Sequence, residues 1–285
     1  MTARVMTAAR TAARSVLPAL TLGPMSPARV AGFVGIAVIA ALTVAGPDLV
    51  GHDPARQNLR AILVPPGTGA HILGTDHLGR DLAARILGGA QLTLALAALA
   101  VGTAAAFGVS LGIVAGWRGG WTDRALAAFA DGVLALPGLL LVMLLAAIRP
   151  DSWWTLYIGL SLTLWVEFFR VARERARVLT AGEAVQAAEL LGLGRWHVIR
   201  RHLWPDLAQQ VLTLAAFGGA TVVTALATLG FISVGLRPPT PEWGVMMSEL
   251  LPSWRTAPWA IAAPIGALAA TVLCLRLVAG EETDT

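Results

Sequence analysis

Four residues in one short stretch have side chains that commonly bind transition metals. His71, Asp76, His77 and Asp81 lie in the sequence HILGTDHLGRD. Imidazole nitrogen and carboxylate oxygen suit nickel or zinc. The same residues also suit a structured loop that leads into a helix, because a carboxylate at position 81 would stabilise the positive N-terminal end of that helix. We predict the loop and no metal site, with His71 and His77 as the candidate ligands if a metal binds.

A second pattern has the spacing of a serine nucleophile. The sequence GVSLG, residues 108–112, matches the hydrolase pattern G-x-S-x-G. That pattern works where a sharp strand-to-helix turn exposes the serine. Ser110 lies in the middle of a long apolar stretch that predicts a helix, so we predict no catalytic residue here.

Asp131, Glu167 and Arg170 lie within the third and fourth predicted membrane-spanning helices, where ionisable groups are functional candidates by default. Arg170 follows Glu167 at i+3, a spacing that favours an ion pair on one helix. We predict that these residues pair or lie at the cytoplasmic edge, and we keep them as candidates for a transport path or for helix pairing.

The composition indicates a membrane protein. Of the 285 residues, 56% are hydrophobic and 13% are charged, and the mean hydropathy is +0.70. Soluble domains have about 25% charged residues. All 21 basic residues are arginine, and a P-loop needs a lysine, so the chain is not expected to be an ATPase. The single cysteine, Cys274, excludes an intrachain disulfide and a cysteine-based zinc site.

Six apolar stretches are long enough to cross a bilayer, which takes about 20 helical residues. They predict an all-α polytopic membrane protein with spans at 30–50, 90–116, 125–148, 154–171, 207–232 and 257–279. The fourth is the weakest, because it is short and contains Glu167. Pro137 predicts a kink in the third. Gly108, Gly112 and Gly116 lie on one face of the second, which favours close helix packing within the subunit.

The distribution of arginine predicts the orientation. With both termini in the cytoplasm, the inner segments hold 14 arginines and the outer segments hold 7, as the positive-inside rule requires. We therefore divide the chain into a cytoplasmic N-terminal segment (1–29), a first helix with an extracytoplasmic segment (30–88), a permease core (89–279) that includes the cytoplasmic loop 172–206, and a short tail (280–285). The first helix is expected to be uncleaved.

The most basic loop contains the sequence GEAVQAAELLGLGRWHVIRRHLWP, residues 182–205, which we call the charged segment. Strong helix formers end at Gly192 and Gly194, which favour a turn. The sequence RWHVIRRHLW then favours a second helix, and Pro205 suits the first turn of the next one. The segment predicts helix, turn, helix on the cytoplasmic face. A solvated connector is the alternative.

The charged segment resembles the EAA loop of ABC importer permeases, in the form typical of the dipeptide, oligopeptide and nickel branch. The resemblance rests on the spacing of Glu183, Ala187, Ala188, Gly192, Ile199, Leu203 and Pro205. Gln186 replaces the usual glutamate, and Asp206 replaces a frequent asparagine. Residues 71–87, 112–141 and 229–249 are also similar to motifs of this branch. The stretch 71–87 includes the extracytoplasmic signature formed by Gly74, Thr75, Asp76, Gly79, Arg80 and Asp81. Permeases of this branch usually continue into a Gly-Asp-containing tail.

The resemblance implies a permease subunit in the bacterial inner membrane that imports peptides, nickel or metal–chelate complexes. It implies pairing with a homologous second permease, two ATPase subunits bound at the cytoplasmic loops, and an extracytoplasmic binding protein that delivers substrate. It also implies that the chain itself binds no cofactor and that ATP and Mg²⁺ are used by the ATPase subunits. The charged segment would then be the lever that ATP binding moves.

Two other classes of protein remain as alternatives. An integral membrane enzyme would need catalytic groups that converge at one depth. An ion-driven carrier would need membrane-embedded acids and an inverted repeat. Neither arrangement is visible in the sequence.

Overall fold

The computed structural model describes residues 26–182, Val185, Ala188 and residues 190–280. Most of the predicted N-terminal segment 1–29 and of the tail 280–285 lies outside the described residues. Within them the protein is helical, apart from two isolated bridges in the loop before Leu82. The nine α-helices of the described residues are α1 (Pro27–Val50), α2 (Leu82–Arg118), α3 (Gly120–Leu134), α4 (Gly138–Ile148), α5 (Trp153–Thr180), α6 (Arg195–Val198), α7 (Trp204–Phe231), α8 (Trp243–Leu250) and α9 (Pro258–Ala279).

The predicted all-α membrane fold is confirmed. Five helical stretches in the described part of the chain are long and apolar enough to cross a membrane, and α3 with α4 makes a sixth if the bent pair is one span. The two helices meet at an angle of 76° beside Pro137, where the kink was predicted. Proline lacks the backbone N–H that would continue the helix, so a bend at this position has a direct cause.

The helix that contains the fourth predicted span, 154–171, is longer than that span. Helix α5 runs from Trp153 to Thr180 and contains 28 residues. Its last turns carry Arg173, Arg175 and Arg177, so they are not apolar enough to count as membrane-spanning sequence. The helix continues because its other face packs on α2, with Ala172 and Ala176 completely buried. Tertiary packing therefore determines where α5 ends, which hydropathy does not reveal.

Helices α2 and α5 touch backbone to backbone. Gly108, Gly112 and Gly116 lie on one face of α2, and a Cβ atom added to any of them would collide with α5. At Gly112 that atom would lie 2.8 Å from the Cβ of Ala172 and 2.9 Å from the backbone nitrogen of Arg173. The predicted close packing within the subunit is thus confirmed. We call this contact the glycine seam.

The N-terminal end of the first span meets the C-terminal end of the last span at one face of the protein. Near the start of α1, the Arg29 guanidinium donates a 2.9 Å hydrogen bond to the carbonyl of Val278 near the end of α9. It also donates to the hydroxyl of Thr213 in α7, at 3.1 Å. An N-terminal end and a C-terminal end that meet at one face require an even number of crossings, which is consistent with six spans.

Replacing Gly112 with alanine is expected to destabilise the protein, because the added methyl has backbone atoms of α5 within contact distance. Overpacking of this kind costs about 1–3 kcal/mol. Gly102, on the same helix, has open space around it. There, Gly102→Ala should be neutral or stabilising by up to about 1 kcal/mol, since alanine favours helix. Thermal unfolding of the purified variants in detergent measures both effects. Equal melting temperatures for the two variants would contradict close packing at the seam.

Candidate functional site

The charged segment forms a turn between two helical pieces. Val185, Ala188 and Leu190 are helical, and the chain turns over residues 191–194. Gly192 has φ +71°, a conformation that costs little only for glycine. The Leu193 amide donates a 2.9 Å hydrogen bond to the Ala188 carbonyl, which closes the helix end. The predicted helix, turn, helix arrangement is therefore present, although Glu183, Gln186 and Ala187 lie outside the described residues.

The sequence indicated that the second helical piece would end before Pro205. In the structure it continues past that residue. Helix α6 passes through a π-helical turn, Ile199–Leu203, directly into α7. Pro205 lies in the first turn of α7, where its missing N–H leaves no bond unmade. The prediction for Pro205 was right about the first turn. A separate helix that begins at Pro205 is not present, since α6, the π-helical turn and α7 form one continuous helical stretch.

The charged segment rests on the membrane helices through an apolar inner side. Val185, Ala188 and Val198 are buried together, and Trp117 of α2 and Leu179 of α5 pack against them. Ala188, one of the residues on which the resemblance rests, is 4% exposed, so its side chain faces inward and is not open to a partner. Ile199 and Leu203 likewise pack on the main core.

The outer side of the charged segment exposes large apolar side chains. Leu190 is 90% exposed, Leu191 76% and Trp196 73%. Arg195, Arg200 and Arg201 are exposed around them. Exposed apolar residues rimmed by polar ones mark interaction surfaces. These three apolar residues were not among the site residues predicted from the sequence. The signal that could have identified them is that they are bulky and apolar although they lie in the most basic loop of the chain.

At the opposite end of α2, a buried cluster of four charges ties loop to helix. Arg80 Nε lies 2.5 Å from Asp76 Oδ2, and Arg85 Nη1 lies 3.2 Å from the same oxygen. Both arginines also reach Glu249 of α8, at 3.0 and 2.6 Å. The two arginine and two carboxylate charges balance, which buried ions require. Removing one partner from such a cluster leaves an uncompensated charge and costs about 3–5 kcal/mol.

The signature residues around this cluster build a rigid loop. Asp76 Oδ1 accepts hydrogen bonds from the amides of Leu78 and Arg80. The Thr75 hydroxyl donates to the Ala61 carbonyl and accepts from the Val64 amide. Gly74 and Gly79 have φ +80° and +70°, and a side chain on either would strike the backbone of the preceding loop. All six signature residues therefore have structural contacts.

The predicted start of a helix at Asp81 is confirmed. Asp81 caps α2, and its Oδ1 accepts a 2.8 Å hydrogen bond from the Ala84 amide. Its other oxygen lies 2.7 Å from His71 Nδ1. His77 points elsewhere, and its Nδ1 is buried without a hydrogen-bond partner in the described part of the chain. In those same ranges, no group of three or more histidine, cysteine, aspartate or glutamate side chains is arranged to hold a metal ion.

Helix α8 is fastened to the N-terminal end of α2 at two points. Glu249 joins the ion cluster, and the buried Trp243 donates from its indole nitrogen to the Ile86 carbonyl at 3.1 Å. Glu242 caps α8 by accepting from the Val245 amide at 2.9 Å. Burial raises the pKa of Glu242, and hydrogen bonds from backbone amides partly oppose that rise. The sequence analysis selected neither Glu242 nor Glu249, although both lie in the quoted motif at 229–249.

The ionisable groups inside the spans pair differently from the prediction. Arg170 binds Asp131 across α3 and α5 at 2.7 Å, so it pairs between helices and not with Glu167 at i+3. Glu167 is exposed and makes no ion pair within the described ranges. The partner of Arg170 comes from α3 and not from its own helix, α5. A second interhelical pair, Asp123 with Arg173, joins the same two helices and was not predicted.

Comparison with known proteins agrees with this architecture. Residues 108–280 match the family described as the binding-protein-dependent transport system inner membrane component. A probable D,D-dipeptide transport system permease protein of Escherichia coli is 32% identical over 256 residues, which cover 88% of this chain and 84% of that protein. A dipeptide transport system permease protein of Haemophilus influenzae is 29% identical, covering 87% and 85% of the two chains.

An oligopeptide transport system permease protein of Bacillus subtilis is 29% identical over 247 residues, covering 87% of this chain and 81% of that one. The family match covers more than half of the chain, and the similarity to these permeases extends over most of it. The chain therefore belongs to the family of binding-protein-dependent transport system inner membrane components, and it is a multi-pass permease subunit of an ABC importer.

Proposed function

We propose that this permease imports peptides, that it forms the translocation path with a homologous second permease, and that its charged segment is the docking lever for the ATPase subunits. The observation that carries the last part is the exposed surface of Leu190, Leu191 and Trp196 on a segment whose inner side is packed. A solvated connector would have no reason to expose three bulky apolar residues. A soluble partner that covers them would remove that surface from water.

ATP and Mg²⁺ belong to the partner ATPases in this proposal, and the chain binds no cofactor itself. Its lack of lysine supports that assignment, because a P-loop lysine contacts the nucleotide phosphates. An extracytoplasmic binding protein would deliver substrate to the face that carries α8 and the buried ion cluster. When the ATPases close, the charged segment would move and the spans would rock between two states, as in alternating access generally.

Peptides are the proposed cargo because the curated relatives at 29–32% identity are named for dipeptides and oligopeptides. Nickel and metal–chelate complexes, which the wider branch also carries, are the competing cargoes. Calorimetric titration of the cognate extracytoplasmic binding protein with dipeptides, longer peptides and Ni²⁺ separates them. We expect saturable peptide binding. Binding of Ni²⁺ without peptide binding would overturn the proposed substrate class.

The proposed orientation places the charged segment in the cytoplasm and α8 outside. Single cysteines at exposed positions test it, in a Cys274→Ser background: Arg60→Cys and Leu251→Cys for the outer face, Trp121→Cys and Leu190→Cys for the inner face. An impermeant thiol reagent added to intact cells should label the first two, and the last two only after the membrane is opened. Labelling of Leu190→Cys in intact cells would invert the scheme.

The turn at Gly192 should matter for coupling because its positive φ aims the helix that ends there. A β-branched residue cannot adopt that conformation without strain, so Gly192→Val should misdirect the lever while leaving the spans in place. Gly194 is the matched control: it has φ −67°, and both glycines have open space around them. We expect coupled transport in liposomes to fall by about tenfold or more in Gly192→Val and to persist in Gly194→Val.

Expression and co-purification of the second permease should be unchanged in both glycine variants. Co-purification of the ATPases shows whether docking or coupling is lost in Gly192→Val. Normal coupled transport by Gly192→Val would mean that the charged segment is a solvated connector, and the proposed lever would then be wrong.

A further inference from the structure

Trp117 lies where the charged segment meets the membrane helices. It is the second-to-last residue of α2, which ends at Arg118. Its half-buried indole packs against the cluster of Val185, Ala188 and Val198. Leu179, near the end of α5, completes this contact. One side chain of α2 thus packs against a cluster whose members come from both helical pieces of the segment, on either side of the turn at Gly192.

We propose that Trp117 is a positioning residue that transmits movement of the charged segment to α2 and α5. This inference rests on the proposed function, since it assumes that the ATPases move the segment. In this proposal, a residue outside the segment receives that movement. The residue does not contact ATPase or cargo in this scheme. It acts by giving the segment a rigid surface to bear on.

The two chain connections of the segment differ in stiffness, which is why a packing contact is needed. Toward α7 the segment is continuous helix, through α6 and the π-helical turn. Toward α5 it is a turn at Ala181 and Gly182, where the Gly182 amide bonds back to the Leu179 carbonyl at 3.0 Å. A turn bends more easily than a helix. Movement therefore passes directly to α7, whereas α5 and α2 receive it through the packed contact.

The indole lies directly beside the glycine seam. Gly116, the residue before it, is the last member of the glycine seam, and a Cβ atom there would lie 2.7 Å from the Cβ of Ala176. Beyond it, Gly119 and Gly120 both have positive φ and turn the chain away into α3. A displacement of Trp117 therefore moves the seam, and with it both helices. Helix α2 has 37 residues and spans about 55 Å at 1.5 Å per residue, as far as the outer ion cluster.

Trp121 provides a matched control for the experiment. It lies four residues further along the chain, at the start of α3, and is 81% exposed. It therefore has the same side chain without the packing. The complete transporter, with both permeases, ATPases and binding protein, would be reconstituted in liposomes as Trp117→Ala and as Trp121→Ala. The measurements are ATPase co-purification, the rate of ATP hydrolysis, and peptide uptake per ATP hydrolysed.

We expect both variants to retain the ATPases and to hydrolyse ATP. Uptake per ATP should fall by about tenfold in Trp117→Ala and change by less than about twofold in Trp121→Ala. Trp117→Phe should recover most of the ratio, and Trp117→Leu part of it, because a large apolar side chain retains part of the packing against the segment. Uptake per ATP in Trp117→Ala and Trp117→Leu equal to that of Trp121→Ala would overturn the proposal.

Loss of the ATPases from Trp117→Leu would also overturn the proposal, since it would make Trp117 a docking or folding residue. If Trp117→Ala fails to assemble, the leucine and phenylalanine variants decide the question through the same ratio. Gly192→Val tests the proposed function separately. Normal transport by that variant contradicts the lever itself, whereas unaltered coupling in the Trp117 variants contradicts only the route by which its movement is transmitted.

Discussion

Backbone contact between α2 and α5 is the constraint on which the rest of the structure depends. In a bilayer the lipid tails are as apolar as leucine, so helices gain little by hiding apolar side chains from lipid and associate through close packing instead. Three glycines at successive turns of α2 provide that packing over the C-terminal half of the helix. The seam holds the C-terminal end of α2 in a fixed position, and Trp117 lies at its edge. Asp81 and Arg85 fasten the N-terminal end into the signature loop.

Charged residues are treated in opposite ways at the two ends of this helix pair. At the outer end, Asp76, Arg80 and Arg85 are 1% exposed and neutralise one another together with Glu249. Such a cluster resists rearrangement, because opening it would strand a buried charge. At the inner end, the arginines of the charged segment are exposed beside Trp196. The loop before α2 thus behaves as a fixed scaffold, and the charged segment exposes the surface that we propose for the ATPases.

The sequence predicted the features that depend on local chemistry. The kink at Pro137, the cap at Asp81 and the close approach at Gly112 each follow from one residue type and its neighbours. Features that depend on packing between helices were missed. Spacing within α5 suggested that Arg170 pairs with Glu167, but α3 brings Asp131 to it instead. In the same way, the type of Ala188 indicated a small side chain without revealing that it is buried in a cluster against which Trp117 packs. The contribution of Glu249 required knowing that α8 folds back onto α2.

The pair formed by Asp131 and Arg170 indicates what surrounds the surface between α3 and α5. Their side chains are 66% and 54% exposed, although both belong to membrane-spanning elements. Hydrocarbon is an expensive environment for ionised side chains, which in membrane proteins face other protein or water. Lipid tails therefore do not suit this surface, whereas the exposed valines on α1 suit them well. In the proposed heterodimer, the second permease or the water-filled path fits against α3 and α5. The bend between α3 and α4 at Pro137 then lies on the side that faces the second permease or the path.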